Sequence, residues 1–200
     1  MIDTPKKIIS SLIVSCRQYY RDMLDYSGSL DVKKYSHTSK IIRRFKDGDL
    51  ERIFELHDIC FGNKKYDQII KYSRLFRNIF YVLEVNGKIV AIMGFYIHKK
   101  FDGLRRVQKA TAFSLCIDPS MRGKGTVLTI INESLKELKN NNVKAVSGCI
   151  DAHNKQSLAV HQKFGFKIVD KNTRRCGPET YKIELNLWHK SEFSLRIRIF

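Results

Sequence analysis

The stretch FSLCIDPSMRGKGTV, residues 113–127, decides the fold. Its apolar first half reads as a strand, Asp118-Pro119 ends that strand, and a loop holding Gly123 and Gly125 opens a helix with Thr126 in its first turn. A strand–loop–helix junction turns several backbone N–H groups, and the positive end of the helix dipole, toward one spot. Small residues let a phosphate approach the backbone there, and Arg122 and Lys124 add charge. An ordinary glycine turn accounts for the same letters. The segment holds neither G-x-x-x-x-G-K-[ST] nor G-x-G-x-x-G. Alone, it permits anion binding without requiring it.

Working outward, IFYVLEV and KIVAIMGFYIH flank Asn86-Gly87, a strong local signal for a hairpin. The basic stretch HKKFDGLRRVQK (98–109) reads as a connection into the strand ATAFSLCID (110–118). Upstream, IIRRF (41–45) reads as a short strand. LERIFELHDICF (50–61) has helical periodicity, with an acidic residue placed to cap it, and a second helix is expected over 66–77. Downstream come a helix over 126–140, a strand over 143–150, a helix from about 154 to 164, and strands near 166–170 and 180–187. The order β-αα-βββ-α-β-α-ββ is that of an α/β domain with a mixed sheet. Residues 6–26 carry an apolar stripe at helical spacing that needs a partner surface, on the same chain or across a dimer, and 26–40 read as a polar linker. The expected organisation is a helical extension and linker at 1–39, the main domain at 40–190 and a tail at 191–200.

Composition narrows the function classes. With 43% hydrophobic residues in 200, the chain can build a core. Its longest apolar run, Ile89 to Ile97, is nine residues, against the ~20 of a membrane-spanning helix. MIDTPKKIISSLIV is followed by RQYYRD and no small-residue cleavage site, which speaks against a signal peptide. Five scattered cysteines without a C-x-x-C pair speak against a disulfide framework or a zinc site and for a reducing cytoplasm. The net charge of +17 fits contact with a polyanion, and it equally fits an AT-rich coding sequence.

A second stretch, DAHNKQSLAVHQKFGFKIV (151–169), adds a strand end, a short helix and a glycine stop at Gly165. Together the two stretches resemble the GNAT superfamily of acyl-CoA-dependent N-acyltransferases. That family's cofactor loop runs Arg/Gln-x-x-Gly-x-Gly/Ala after a strand ending in Asp-Pro. Here Asp118-Pro119 is followed by Arg122, Gly123, Lys124, Gly125, Thr126 and Val127. The later family signature, Asn-x-x-Ala…Tyr-x-x-x-Gly-Phe, is matched by Asn154, Ser157, His161, Gly165 and Phe166. The resemblance spans about residues 41–187. It implies a GNAT-like mixed, splayed central sheet flanked by helices, here with an extra N-terminal helix. It further implies acetyl-CoA as cosubstrate, with the pantetheine arm along Leu115, Cys116 and Ile117 and the diphosphate on the amides of 122–127. Asn154, Ser157 and the helix they open would flank the sulfur end. The strand 143–150 would splay from 110–118, the amine would attack the thioester directly, and a backbone N–H near Cys116 or Ile117 would steady the oxyanion. No metal is needed for such chemistry.

The sequence departs from the family pattern in two places. Val127 stands where a small residue is usual, and His161 where a tyrosine often protonates the leaving thiolate. The histidine is read either as that proton donor or as a packed helix residue. No motif assigns the general base, and Asp151 and Glu84 are the nearest acidic candidates by strand position. Cys116 and Cys149, on facing strands, are expected to be buried packing residues. Tyr181 is a candidate acceptor-site residue. Lys171, Arg174 and Arg175 in the 171–180 loop would favour an amine that also carries an anion, such as an amino sugar phosphate, a sugar nucleotide or an acidic peptide. The expectation is a cytoplasmic N-acetyltransferase for a small-molecule or peptide amine, a possible homodimer without a membrane partner. The alternative is a GNAT-like non-catalytic module binding nucleic acid or an acidic partner.

Overall fold

Asn86 and Gly87 adopt φ of 51° and 75°, the doubly left-handed turn whose twist suits a two-residue hairpin. A computed structural model of the chain describes residue 32 and residues 42–62, 73, 76–102, 105–171 and 179–188. The turn joins β2 (Phe80–Val85) to β3 (Lys88–Asp102), and β3 returns as β4 (Arg105–Ile117). Before them lie β1 (Ile42–Arg44) and α1 (Leu50–Phe61); after them come α2 (Thr126–Asn140), β5 (Val143–Asp151), α3 (Lys155–Lys163), β6 (Lys167–Lys171) and β7 (Thr180–Asn186). The strands form one sheet in the order β1-β2-β3-β4-β5-β7-β6. Every pairing is antiparallel except β4–β5. The fold is thus the mixed α/β sheet expected from the sequence.

Alternation along the strands splits the core between two faces. Phe80, Val82, Ile92 and Cys116 pack with Ile53 and Leu56 of α1 on one face. Tyr81, Leu83, Met93 and Phe95 join Ile130, Ile131, Leu135 and Leu138 of α2 on the other. The apolar stripe of α2 explains why its crossover from β4 must lie against the sheet.

Two irregularities of β4 make room beside it. Gly94 pairs with Phe113 and Ile92 with Cys116, so β4 spends three steps where β3 spends two. The extra residue is a bulge at Ser114, whose φ is 50°. The parallel pairing with β5 runs only from Gln108↔Val143 to Thr111↔Ser147. Beyond that point β4 continues to Ile117 with no strand on that edge among the described residues, while β5 pairs with β7 out to Asp151↔Thr180. At the apex, the Thr111 and Ser147 hydroxyl oxygens lie 2.9 Å apart, and Ser147 Oγ donates to the Ala110 carbonyl at 3.3 Å.

Several expectations are corrected. Residues 98–109 are not a connection but the far arms of the β3–β4 hairpin, in register to Asp102↔Arg105. Backbone pairing carries those arms, so they need no apolar alternation to reveal them. Asp49 precedes α1, yet its carboxylate does not cap the helix. It accepts instead from Arg43 Nη1 at 2.7 Å, Arg43 Nη2 at 2.9 Å and the Lys46 amide at 2.7 Å. Cys149 is exposed rather than buried. It is also disulfide-bonded, where the scattered cysteines spoke against a disulfide framework. The helix at 6–26, its linker apart from Val32, most of the helix expected at 66–77, the interior of the 171–180 loop and the 191–200 tail lie outside the described residues.

Gly94 has no room for a side chain. A Cβ there would sit 2.5 Å from Phe113 Cζ and 2.8 Å from Phe80 Cδ2. Gly94→Ala should destabilise the fold by about 1–3 kcal/mol, read as a fall in melting temperature of about 2–4 °C per kcal/mol. Adding Phe113→Leu should restore part of the loss, because the crowded ring is then gone.

Candidate active site

The loop after β4 is built on Asp118. Its Oδ1 accepts from the Ser120 amide at 2.9 Å and the Ser120 hydroxyl at 2.6 Å, and its Oδ2 pairs with the Arg52 guanidinium of α1. Lys88 Nζ stands 3.6 Å from the same oxygen. Arg52 also donates from Nε to the Ile89 carbonyl at 3.0 Å. The Ser120 hydrogen bonds, first of all that of the hydroxyl, hold the Asp118 carboxyl down at about 2. One carboxylate therefore joins α1, the β3 start and the loop.

Beyond Asp118 the chain turns through Gly123 and Gly125, at φ of 75° and 77°, where L side chains are strained. A Cβ at either would meet nothing within 4 Å, so conformation requires these glycines, and the space before them is open. Gly125 is the N-cap of α2 and offers no side chain to its first turn. The amides there are left pointing outward, as at any uncapped helix start. Thr126 Oγ1 donates to the Met121 carbonyl at 2.9 Å and closes the loop from behind. Val127 rests partly buried against the core, so the departure at this position leaves the cradle clear.

The free edge of β4 faces the opening. The Asp118 amide donates to the Val90 carbonyl at 2.8 Å, so strand alternation turns the Ile117 amide and carbonyl the other way, toward the opening. Cys116 is fully buried on the α1 face.

On the β5 side, Asn154 caps α3 by accepting from the Ser157 amide at 2.9 Å; that oxygen is committed to the helix. His161 is buried, with Nδ1 2.8 Å from the Ser157 carbonyl and its ring edge-on to Phe166 at 5.3 Å. A carbonyl only accepts, so Nδ1 carries the proton and Nε2 of the neutral ring carries a lone pair. Burial lowers the pKa of this histidine. Proton donation from Nε2 would require the imidazolium that burial disfavours.

The two carboxylate candidates are separated. Glu84, on β2, accepts from Arg43 Nε at 2.9 Å. Asp151 ends β5 at the rim of the opening, exposed, and accepts from the His153 amide at 2.8 Å. Tyr181 pairs with Ile150, and the Lys171 ammonium lies 5.7 Å from its ring centroid. Arg174 and Arg175 lie outside the described residues. Among the described residues there is no cluster of His, Cys, Asp or Glu suited to a metal.

Sequence reasoning missed Cys60. At the end of α1, its Sγ lies 3.7 Å from the Ile117 carbonyl oxygen and 3.7 Å from Arg122 Nη2. Only the packing of α1 across β4 brings these together. The acyl-transfer fold is then matched at sequence level: the model of the Acetyltransferase (GNAT) family aligns with residues 50–166. The chain belongs to the GNAT acetyltransferase family.

YwnH of Bacillus subtilis strain 168, which carries a provisional phosphinothricin acetyltransferase name, is 30% identical over 90 residues. That match covers 45% of this chain, which spans about half of the relative's length, 53%. Among solved structures, Ard1 of Thermoplasma volcanium superposes with a TM-score of 0.62 at 19% identity, covering 72% of this chain and 95% of its own. Naa50 of Arabidopsis thaliana, solved with the bisubstrate analogue CoA-Ac-MVNAL, gives 0.61 at 18% identity, with 72% and 97% covered. These likenesses establish the GNAT fold. The diphosphate of a CoA thioester fits the donor set here: an uncapped first turn, open space before two left-handed glycines, and Arg122 and Lys124 exposed beside them.

Because the Asp118 carboxyl titrates lower when folded than when unfolded, its contribution is whole at neutral pH. It is lost as pH falls from about 3.8 to about 2. Asp118→Asn should lower stability at pH 7 and flatten the pH dependence in that window, measured by denaturant titration across pH.

Proposed function

We propose that the chain is an N-acetyltransferase moving the acetyl group of acetyl-CoA to a primary amine by direct attack. The observation that carries this reading is a coincidence of place. The unpaired edge of β4 and the uncapped first turn of α2 lie at one end of the sheet.

Acetyl-CoA, when bound, supplies the thioester and the leaving thiolate. The amides of Gly123 to Val127 would hold its diphosphate, with Arg122 and Lys124 adding charge. Leu115 and Ile117 offer the strand edge along which an extended arm can pair. The Ile117 amide is the donor we assign to the developing oxyanion. Of the two carboxylates, Asp151 stands at the rim of the opening while Glu84 is held by Arg43. Asp151 is therefore the base candidate we retain. His161 serves the packing of α3 on Phe166. The likeness to a structure solved with CoA-Ac-MVNAL supports an amine acceptor.

Acetyl-CoA at about 100 times its Kd should stabilise the protein by about 2.7 kcal/mol. Gly125→Glu should lower the melting temperature of the free protein, because an L side chain is strained at φ of 77°, and should in addition remove the shift with acetyl-CoA, because a carboxylate would repel the phosphates. Salt-sensitive retention on nucleic acid with no response to acetyl-CoA would favour the binding-module reading instead. Thiol release across a panel of amines, anionic and cationic, identifies the acceptor. For His161→Phe, the expected outcome is a lower melting temperature with the pH–rate profile unchanged. A limb below the ~6.5 of a free imidazole that disappears on this substitution would restore its role as proton donor.

A further inference from the structure

Cys60 has surroundings that the acyl-transfer reading does not use. Its sulfur sits at the C-terminal end of α1, half-buried, against the edge of β4. The Arg122 guanidinium reaches it from the glycine loop at 3.7 Å and, through Nε, reaches the Ile117 carbonyl at 3.4 Å. The thiol of Cys116, one residue before Ile117, lies fully buried in the apolar cluster against which Cys60 packs. Two thiols in one packed cluster, one within reach of solvent and beside a guanidinium, are the parts of a peroxide-reactive pair.

We propose that Cys60 is a site of reversible oxidation by hydroperoxides, with Cys116 as the thiol that resolves it. The Cys60 thiolate attacks a peroxide oxygen; an S–O bond forms, the O–O bond breaks, and the departing hydroxide or alkoxide takes a proton from water. The Cys116 sulfur then attacks the Cys60 sulfur. An S–S bond forms and the S–O bond breaks, and the hydroxyl leaves as water with the Cys116 proton. Two electrons pass from the two thiols to the peroxide.

Charge and contact favour this division of labour. The hydrogen bond from Cys116, with Arg122 nearby, pushes the Cys60 thiol down to about 6. The same contact and its burial push Cys116 up. Cys60 is thus the more readily ionised thiol of the two, and Cys116 the one that holds its proton. Oxidation also removes the anion that Arg122 contacts and ties the end of α1 to the strand edge. Any loss of acetyl transfer rests on the function proposed above, whereas the thiol chemistry does not.

The test is peptide mapping of the full chain after hydrogen peroxide treatment and alkylation. The expected result is a cross-link between tryptic peptides 53–64 and 110–122, reversed by dithiothreitol. Cys116→Ala should stop the reaction at a Cys60 sulfenic acid trapped by dimedone, and Cys60→Ser should give neither product. Alkylation of Cys60 by iodoacetamide should titrate with a midpoint near 6, instead of the ~8.5 of a free thiol. Bound acetyl-CoA should slow the oxidation if the function is as proposed; equal rates with and without it would count against that coupling alone. Peroxide-treated protein in which Cys60 and Cys116 both remain alkylatable, or in which Cys60 pairs with another cysteine, would overturn the proposal.

Discussion

β4 must pair with β3 along its whole length yet leave its other edge bare where chemistry is to happen. Those demands conflict, because a regular parallel neighbour would continue the ladder. The conflict is met locally. A single extra residue at Ser114 bends the strand, Gly94 gives Phe113 the space to pack flat against β3, and β5 turns its hydrogen bonds to β7. The opening is therefore a product of core packing and not of a flexible loop.

The second dependence is electrostatic. Asp118 gathers Arg52, Ser120 and the nearby Lys88 at the point where β4 becomes the glycine loop. Arg52 belongs to α1 and also holds the Ile89 carbonyl. The helix that flanks one side of the opening and the loop that would receive a diphosphate are in this way set by one carboxylate. Fixing both in advance lowers the ordering that ligand binding must supply.

Features written in consecutive residues were legible in the sequence. Asn86-Gly87 announced the hairpin, and the apolar period of α2 announced its span from Thr126 to Asn140. Gly123 and Gly125 marked left-handed turns that nothing else would tolerate. Features that depend on two distant elements were not legible. The Arg43–Asp49–Glu84 group looks like scattered surface charge until β1 lies on β2. Cys60 is one more residue of an amphipathic helix until α1 crosses β4. The basic arms of the β3–β4 hairpin were missed for the opposite reason: their residues HKKFDGLRRVQK carry no apolar alternation to advertise a strand. His161 shows the limit most plainly. Its position in a motif was readable, but which nitrogen holds the proton depends on the Ser157 carbonyl beside it.

The four-residue seam between β4 and β5 also has a consequence for how the chain assembles. On one side of it, β2, β3 and β4 form a meander closed by short turns, with low sequence separation between partners. On the other, β5, β7 and β6 form a separate antiparallel plate. The plates share few ladder bonds, and the apolar stripe of α2 packs into the same buried cluster as strands of both. The pairings within each plate form without the crossover, and only their union waits for it. The molecule is thus two small sheets that become one at a narrow joint, and the gap left beyond that joint is where they never merge.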